Sequence, residues 1–416
     1  MKSNKKIAIL DCNNFYVSCE RIFDPSIKQK PTVVLSNNDG CVIARSQEIK
    51  KMGIKMGTPF FEIKELIQEK DIQVYSSNYN LYGDISDRIM SIIQNIVGKE
   101  NVEIYSIDEA FIDLTGIGSE QLLEVITNIK NTILKLTGIP VSIGVGPNKT
   151  LAKLCNYISK NDPSYNNCYL YENHGSTEEK LEELGVNEIW GIGRQWTKKL
   201  AKNNIKNIKQ FKNLPQKWVK KNFTVLGEKT YLELHGYYCH QFNNNFKERK
   251  IINTSRSFGK PISNYKHMEE ALFLFSKNAV DKLKKNNLVA SKINVFFLTD
   301  RFKEDFIYDE KKIKLELSTD NFQFIWSKIN QIGLEIYKKD IEYKKCGITL
   351  SDLTPKENVQ LSLFSDNEEK KLEEEEKINY LNNQIEITSK PWQLKKDFIS
   401  QKYTTDWDDL PTAYCS

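Results

Sequence analysis

Between residues 6 and 145 the apolar repeat of this chain switches between the two-residue period of a strand and the 3.6-residue period of a helix. Residues 6–11 alternate as a strand. Thr32–Leu35 and Cys41–Ala44 read as two more, joined by the turn-rich Ser36-Asn37-Asn38-Asp39-Gly40. Helical spacing follows near 45–52 and 59–69. A longer helix over 80–97 carries Leu81, Ile85, Ile89, Ile92, Ile93 and Ile96 close to a 3.6 period. The runs Val102–Tyr105 and Ala110–Leu114 make a hairpin, a helix near 119–137 follows, and Pro140 precedes the strand Val141–Val145. With residues 15–79 set aside as an insertion, the order β-α-β-β-α-β predicts a ferredoxin-like domain.

Carboxylates sit at the strand ends of this frame. Asp11 closes Ile7-Ala8-Ile9-Leu10 and is followed by Cys12-Asn13-Asn14-Phe15-Tyr16. The hairpin carries Tyr105-Ser106-Ile107-Asp108-Glu109-Ala110-Phe111. An Asp at a strand end, or an Asp-Glu pair in a hairpin, is ordinarily a turn residue facing solvent. Taken together, they supply what two Mg²⁺ ions about 4 Å apart require: hard, negative oxygens from more than one strand.

With their flanks, these two segments resemble the metal-binding motifs of Y-family translesion DNA polymerases. The stretch Leu35-Ser36-Asn37-Asn38-Asp39-Gly40-Cys41-Val42-Ile43-Ala44-Arg45 is similar to the UmuC type, the catalytic subunit of bacterial DNA polymerase V. The resemblance runs from about residue 5 to the end. It implies an α+β multidomain chain: a ferredoxin-like palm (1–14 and 80–170), small fingers (15–79), a helical thumb (171–242), an α/β little finger (251–354) and a partner-binding tail (355–416). It also implies roles. Asp11 and Asp108 bridge two Mg²⁺ ions, for which Mn²⁺ could substitute. Glu109 holds the ion at the primer hydroxyl, and the Cys12 carbonyl completes the other. Asn14 and Phe15 offer backbone N–H groups to a deoxynucleoside triphosphate, and Tyr16 is a steric gate under its sugar. Lys160 matches the triphosphate-binding lysine, although a lysine in a helix's last turn is also what the helix dipole favours. Lys153, earlier on that helix, is expected to face DNA or solvent. Where the commoner Y-family pattern has Thr-x-x-Tyr-x-x-Arg in the fingers, this chain has Ala44, Gln47 and Lys50. Arg45 and Lys50 are then the candidates to supply the charge.

Downstream, Trp190-Gly191-Ile192-Gly193 lies between two helical patterns and precedes Lys198 and Lys199. This resembles a helix-hairpin-helix, whose Gly-x-Gly turn exposes backbone N–H groups to a DNA phosphate. A polar linker near 243–250 separates it from strand and helix signals over 251–353, which the pattern alone describes as an α+β domain. Beyond Pro355, Gln360-Leu361-Ser362-Leu363-Phe364 resembles the bacterial sliding-clamp peptide, in which apolar side chains enter a pocket. The aromatic segment after Pro391 resembles the end of UmuC-type subunits. The partners implied are primer-template DNA, the sliding clamp, a UmuD-type subunit and a RecA-type filament.

Composition sets further bounds. A chain of 416 residues, 39% apolar, is long enough for two to four domains. No apolar run approaches 18 residues, so no membrane span is expected. The basic start Met1-Lys2-Ser3-Asn4-Lys5-Lys6 leads into an apolar stretch only a strand long, which argues against a signal peptide. A cytoplasmic, nucleoid-associated protein is expected. Its eight cysteines show no CxxC and are expected to be reduced. His235, Cys239 and His240 cluster, but without a fourth ligand they fall short of the zinc norm. Residues 366–377 hold seven acids and three lysines, a net of −4, leaving +9 of the overall +5 on the rest of the chain. A basic body suits nucleic acid. The reading is an error-prone DNA-directed DNA polymerase of the SOS response, without proofreading. Two alternatives come from other classes. A palm-fold nucleotidyl cyclase would not need the DNA grips, and a silent DNA-binding regulatory subunit would not need the three carboxylates.

Overall fold

The computed structural model describes residues 3–171, 176–243, 249–358 and 397–400. It divides into two compact units: residues 1–246 with 397–416, and Lys247–Lys396.

The first unit opens with β1 (Ile7–Cys12) and α1 (Phe15–Phe23). Next come β2 (Thr32–Leu35), β3 (Val42–Arg45), α2 (Gln47–Lys51), α3 (Lys64–Glu69) and β4 (Gln73–Ser76). β3-β2-β4 form their own three-stranded sheet over a small core of Val33, Leu35, Val42 and Ile49, so the inserted segment is a lobe in its own right. The chain then returns through α4 (Tyr79–Val97), β5 (Val102–Ile104), β6 (Glu109–Asp113), α5 (Leu122–Thr137), β7 (Val141–Gly146), α6 (Lys149–Asn161) and β8 (Cys168–Leu170). The sheet order β5-β6-β1-β7-β8 contains the ferredoxin-like arrangement, in which the first strand lies between the third and the fourth. β8 extends it in parallel with β7.

Helix starts follow local chemistry. Asn78 caps α4 by accepting the Leu81 N–H, and Asn148 caps α6 by accepting the Leu151 N–H at 2.9 Å. α4 and α5 cover one face of the sheet and α6 the other. α6 comes so close to β7 that a Cβ on Gly144 would lie 2.0 Å from the Asn156 backbone nitrogen. Only glycine admits that approach. Five short helices follow: α7 (Ser176–Glu183), α8 (Arg194–Ala201), α9 (Ile208–Lys212), α10 (Gln216–Asn222) and α11 (Val225–Leu234).

The second unit is an antiparallel sheet with two helices: β9 (Ile251–Ile262), α12 (Tyr265–Lys285), β10 (Leu288–Leu298), β11 (Tyr308–Thr319), α13 (Phe322–Ile336) and β12 (Tyr343–Pro355), in the order β11-β10-β12-β9. Both helices pack their apolar residues on one face of that sheet. Among the described residues, no helix is long and apolar enough to cross a membrane.

Candidate active site

Strand alternation decides where the acids point. Ala8, Leu10 and Cys12 of β1 join Ala110 and Ile112 of β6 in the core with α4 and α5. Ile7, Ile9 and Phe111 pack with Ala152 of α6 on the opposite face. Successive strand side chains alternate faces, so Asp11 and Glu109, in step with Ile9 and Phe111, point toward α6. The two are direct partners in the β1–β6 ladder. The Cys12 N–H donates to the Asp108 carbonyl at 2.9 Å, which ties the third acid to the same strand end. Glu109 begins β6 instead of sitting in the hairpin turn, because its carbonyl accepts the N–H groups of both Tyr105 and Ser106.

α6 meets these acids with lysines. Lys149, Lys153 and Lys160 are spaced by four and seven residues, which places them on one helix face. Lys149 Nζ lies 2.6 Å from Glu103 Oε2 on β5, Lys153 Nζ 2.6 Å from Glu109 Oε1 on β6, and Lys160 Nζ 2.5 Å from Asp11 Oδ1 on β1. The expectation that Lys153 faces DNA or solvent is therefore corrected. Its ammonium is held by Glu109 and stands 4.7 Å from the Tyr105 ring centroid and 5.8 Å from that of Trp190. Lys149 and Lys153 were missed as site residues, and their signal was the four-and-seven spacing with Lys160.

Asp108 takes another direction, accepting the Ser106 hydroxyl at 2.6 Å. Among the described residues, no three His, Cys, Asp or Glu side chains converge as they would around a metal ion. The reason is electrostatic: carboxylates this close repel, and each turns to its own donor. The donor set nonetheless fits a hard divalent cation. Burial pushes the Asp11 carboxyl up; Lys160 opposes this, and the charges of Glu109 and Asp108 add to it. A buried acidic group under that strain is what a divalent ion relieves. The Cys12 thiol is pushed far up by burial and is no ligand as a thiolate, which leaves its carbonyl.

Beyond Asp11 the chain turns into α1. Asn14 takes a left-handed conformation (φ 50°, ψ 42°), and no side chain caps the helix that begins at Phe15. Phe15 is buried in the core. Tyr16 stacks on Tyr82, with centroids 4.3 Å apart and planes at 14°, and meets the edge of Tyr79 at 6.1 Å. Its hydroxyl is pushed up by burial first, then by Tyr79 and by the charge of Asp108.

In the β3-β2-β4 lobe, the Lys50 ammonium is held below its ordinary value, by desolvation first and then by Lys160 and Arg45, with Asp11 opposing. Lys50 is thus within electrostatic reach of Lys160, Arg45 and Asp11. Arg45 Nη1 also donates to the Ile54 carbonyl at 2.5 Å. Gln47 is exposed and Ala44 buried.

Gly191 makes its turn at φ 88°, and Gly193 precedes α8 without a side-chain cap. Lys198 and Lys199, however, occupy the last turn of α8, away from those amides. Lys199 Nζ donates to the Asn222 carbonyl at 3.0 Å, satisfying the end of α10. His235 and His240 are likewise taken up locally, by the Tyr231 carbonyl and the Thr230 hydroxyl. Gln360, Leu361, Leu363 and Phe364 lie outside the described residues.

The impB/mucB/samB family matches residues 10–157, and its C-terminal domain matches residues 249–363. Protein ImpB of Salmonella typhimurium is 34% identical over 98% of this chain and 99% of its own length. Protein UmuC of the same organism is 33% identical over 97% of this chain and 99% of its own. The chain belongs to this family. It is a UmuC-type member of the Y-family DNA polymerases, and the solved structures agree on the fold. A Y-family DNA polymerase chimera superposes with a TM-score of 0.67 at 22% identity, covering 83% of this chain and 98% of that one. An insertion ternary complex of Dbh DNA polymerase gives 0.56 with the same coverage and identity. A domain of unknown function matches residues 377–413 of this UmuC-type chain.

Proposed function

We propose that this chain is an error-prone, DNA-directed DNA polymerase that carries synthesis past damaged template bases in the SOS response, by two-metal-ion nucleotidyl transfer and without proofreading. The observation that carries this reading is the register of Asp11 on Glu109, with Asp108 bonded through its carbonyl to Cys12 at the same strand end. Asp11, Asp108, Glu109 and the Cys12 carbonyl would hold two Mg²⁺ ions, or Mn²⁺ in their place, which lower the pKa of a primer 3′-hydroxyl and neutralise the triphosphate.

The remaining work belongs to side chains. Lys160, Arg45 and Lys50 bind triphosphate oxygens from one side. The uncapped first turn of α1, at Asn14 and Phe15, offers backbone N–H groups from the other. Lys160 pairs with Asp11 until a nucleotide gives it phosphate oxygens. Tyr16, held flat against Tyr82, excludes a ribose 2′-hydroxyl by sterics. The Gly191–Gly193 turn binds the backbone of primer-template DNA. Residues 360–364 dock on the sliding clamp, and a UmuD-type subunit and a RecA-type filament are the further partners of this cytoplasmic, nucleoid-associated enzyme.

Asp108→Ala tests the chemistry. It removes a ligand shared by both ions, and the loss of charge stabilisation lowers primer extension by roughly 10³-fold or more, with DNA binding retained. Near-wild-type extension by the folded variant would refute the assignment.

A further inference from the structure

Residues 397–400 belong to the first unit and sit on the end of β4. The Ser76 N–H donates to the Phe398 carbonyl at 2.9 Å, and the Phe398 N–H donates back to Ser76 Oγ at 3.0 Å. The Asp397 N–H donates to Asp39 Oδ2 at 2.8 Å, and the Phe398 ring meets Phe60 edge-on with centroids 5.6 Å apart. Four residues late in the chain thus contact three separate parts of the β3-β2-β4 lobe and of the connection from it into α4.

From this anchor Ser400 reaches inward. Its oxygen accepts from Asn78 Nδ2 at 3.1 Å, and its hydroxyl opposes the upward push of burial on the Glu20 carboxyl. Glu20 is 1% exposed. It accepts from the Tyr82 hydroxyl, 2.6 Å from Oε1. Tyr82 is fully buried and carries the ring on which Tyr16 stacks. Glu20 itself lies one turn after Tyr16 on α1, on the same face. Asn78, which caps α4, sets the helix turn that bears both Tyr79 and Tyr82. One connected path therefore runs from Ser400 through Asn78 and the first turn of α4 to Tyr82 and Tyr16. Losing the acceptor that holds a capping side chain lets the turn it caps shift.

We propose that Ser400 is a positioning residue for Tyr16, acting through Asn78 and Tyr82, so that the docked segment 397–400 sets how tightly the site excludes a ribose. This rests on the reading of Tyr16 as the sugar gate. It gives part of the domain of unknown function at 377–413 a role in sugar choice.

The test uses the full-length protein and single-nucleotide insertion with a deoxynucleoside triphosphate and its matching ribonucleotide. The ribo-to-deoxy ratio of kcat/KM is expected to rise about three- to tenfold in Ser400→Ala, the effect of one lost hydrogen bond. Ser400→Thr, which keeps the hydroxyl, should stay at the wild-type ratio. Asn78→Ser keeps a capping oxygen while losing the amide that donates to Ser400, and should raise the ratio with the deoxynucleotide kcat retained. Tyr16→Ala serves as the reference. A raised ratio in Tyr16→Ala beside an unchanged one in Ser400→Ala overturns the positioning role alone. An unchanged ratio in Tyr16→Ala overturns the gate and the inference with it. Equal losses in both efficiencies in Ser400→Ala, at constant ratio, mean a structural role only and also overturn the inference.

Discussion

Asp11 and Glu109 face each other across the β1–β6 ladder, and each carboxylate is neutralised by a lysine from the same helix, Lys160 for the first and Lys153 for the second. Because one face of α6 serves both, disturbing either lysine separates effects on the acids from effects on substrate.

Lys153 is enclosed by Glu109 and three aromatic rings, with 17% of its side chain exposed. Lys153→Ala leaves Glu109 facing Asp11 with no cation between Glu109 and solvent. The metal-free protein is expected to melt roughly 2–6 °C lower. Mg²⁺ should raise the Tm of the variant more than that of the wild type, since an ion binding only the folded state stabilises it. Calorimetry with and without chelator reads both. An equal Mg²⁺ shift in the two proteins would place the ion elsewhere.

Lys160 pairs with Asp11, and in the proposed mechanism it exchanges that partner for phosphate oxygens. Lys160→Ala should raise the KM for an incoming deoxynucleotide roughly 10- to 100-fold, the range for losing a charged hydrogen bond, while kcat falls less. An unchanged KM would remove Lys160 from triphosphate binding.

Glu20 gives a pH signature. Burial pushes its carboxyl above the ordinary carboxylate range, with the Tyr82 and Ser400 hydroxyls opposing. A raised folded-state value means that the folded chain holds this proton more tightly than the unfolded chain. The associated stability is present in full below the unfolded pKa and is lost as pH rises through the folded one. Glu20→Gln removes the titration. The Tm of the wild type should therefore fall relative to the variant as pH rises through that window. Parallel Tm-against-pH curves for the two proteins would show that Glu20 is not shifted upward.

Leu363 and Phe364 test the tail. Burying two such side chains in a partner pocket contributes roughly 3–6 kcal/mol before ordering costs. Replacing both with Ala should abolish clamp binding and clamp-stimulated synthesis, leaving extension of short primers without clamp unaffected. Surface capture or calorimetry decides it, and equal affinities would exclude residues 360–364 as the docking peptide.

What the sequence disclosed was local. Asp11, Asp108 and Glu109 announce themselves because strand ends and a hairpin are short-range patterns. The lysines of α6 were harder. Helical spacing places Lys149, Lys153 and Lys160 on one face, but not which surface that face meets. That depends on α6 covering the second side of a sheet already covered by α4 and α5, a matter of tertiary packing. Gly144 and Gly146 of β7 carried the hint, since paired glycines in a strand mark a close backbone approach. Lys199 was misjudged by helix length: two turns of α8 carry it away from the Gly193 amides to the end of α10. The contact of Ser400 with Asn78 joins residues 322 positions apart and has no local signature.

The order of the α6 lysines along the strands β5, β6 and β1 also acts as a proofreader of folding. A strand shifted by one residue turns its side chains to the opposite face. Were β6 to slip by one against β1, Glu109 would turn away from α6, and Lys153 would face an apolar sheet with its charge uncompensated. A misassembled hairpin is thus penalised at the strand end where Asp11 and Glu109 meet, so a chain that has folded has already aligned these two carboxylates.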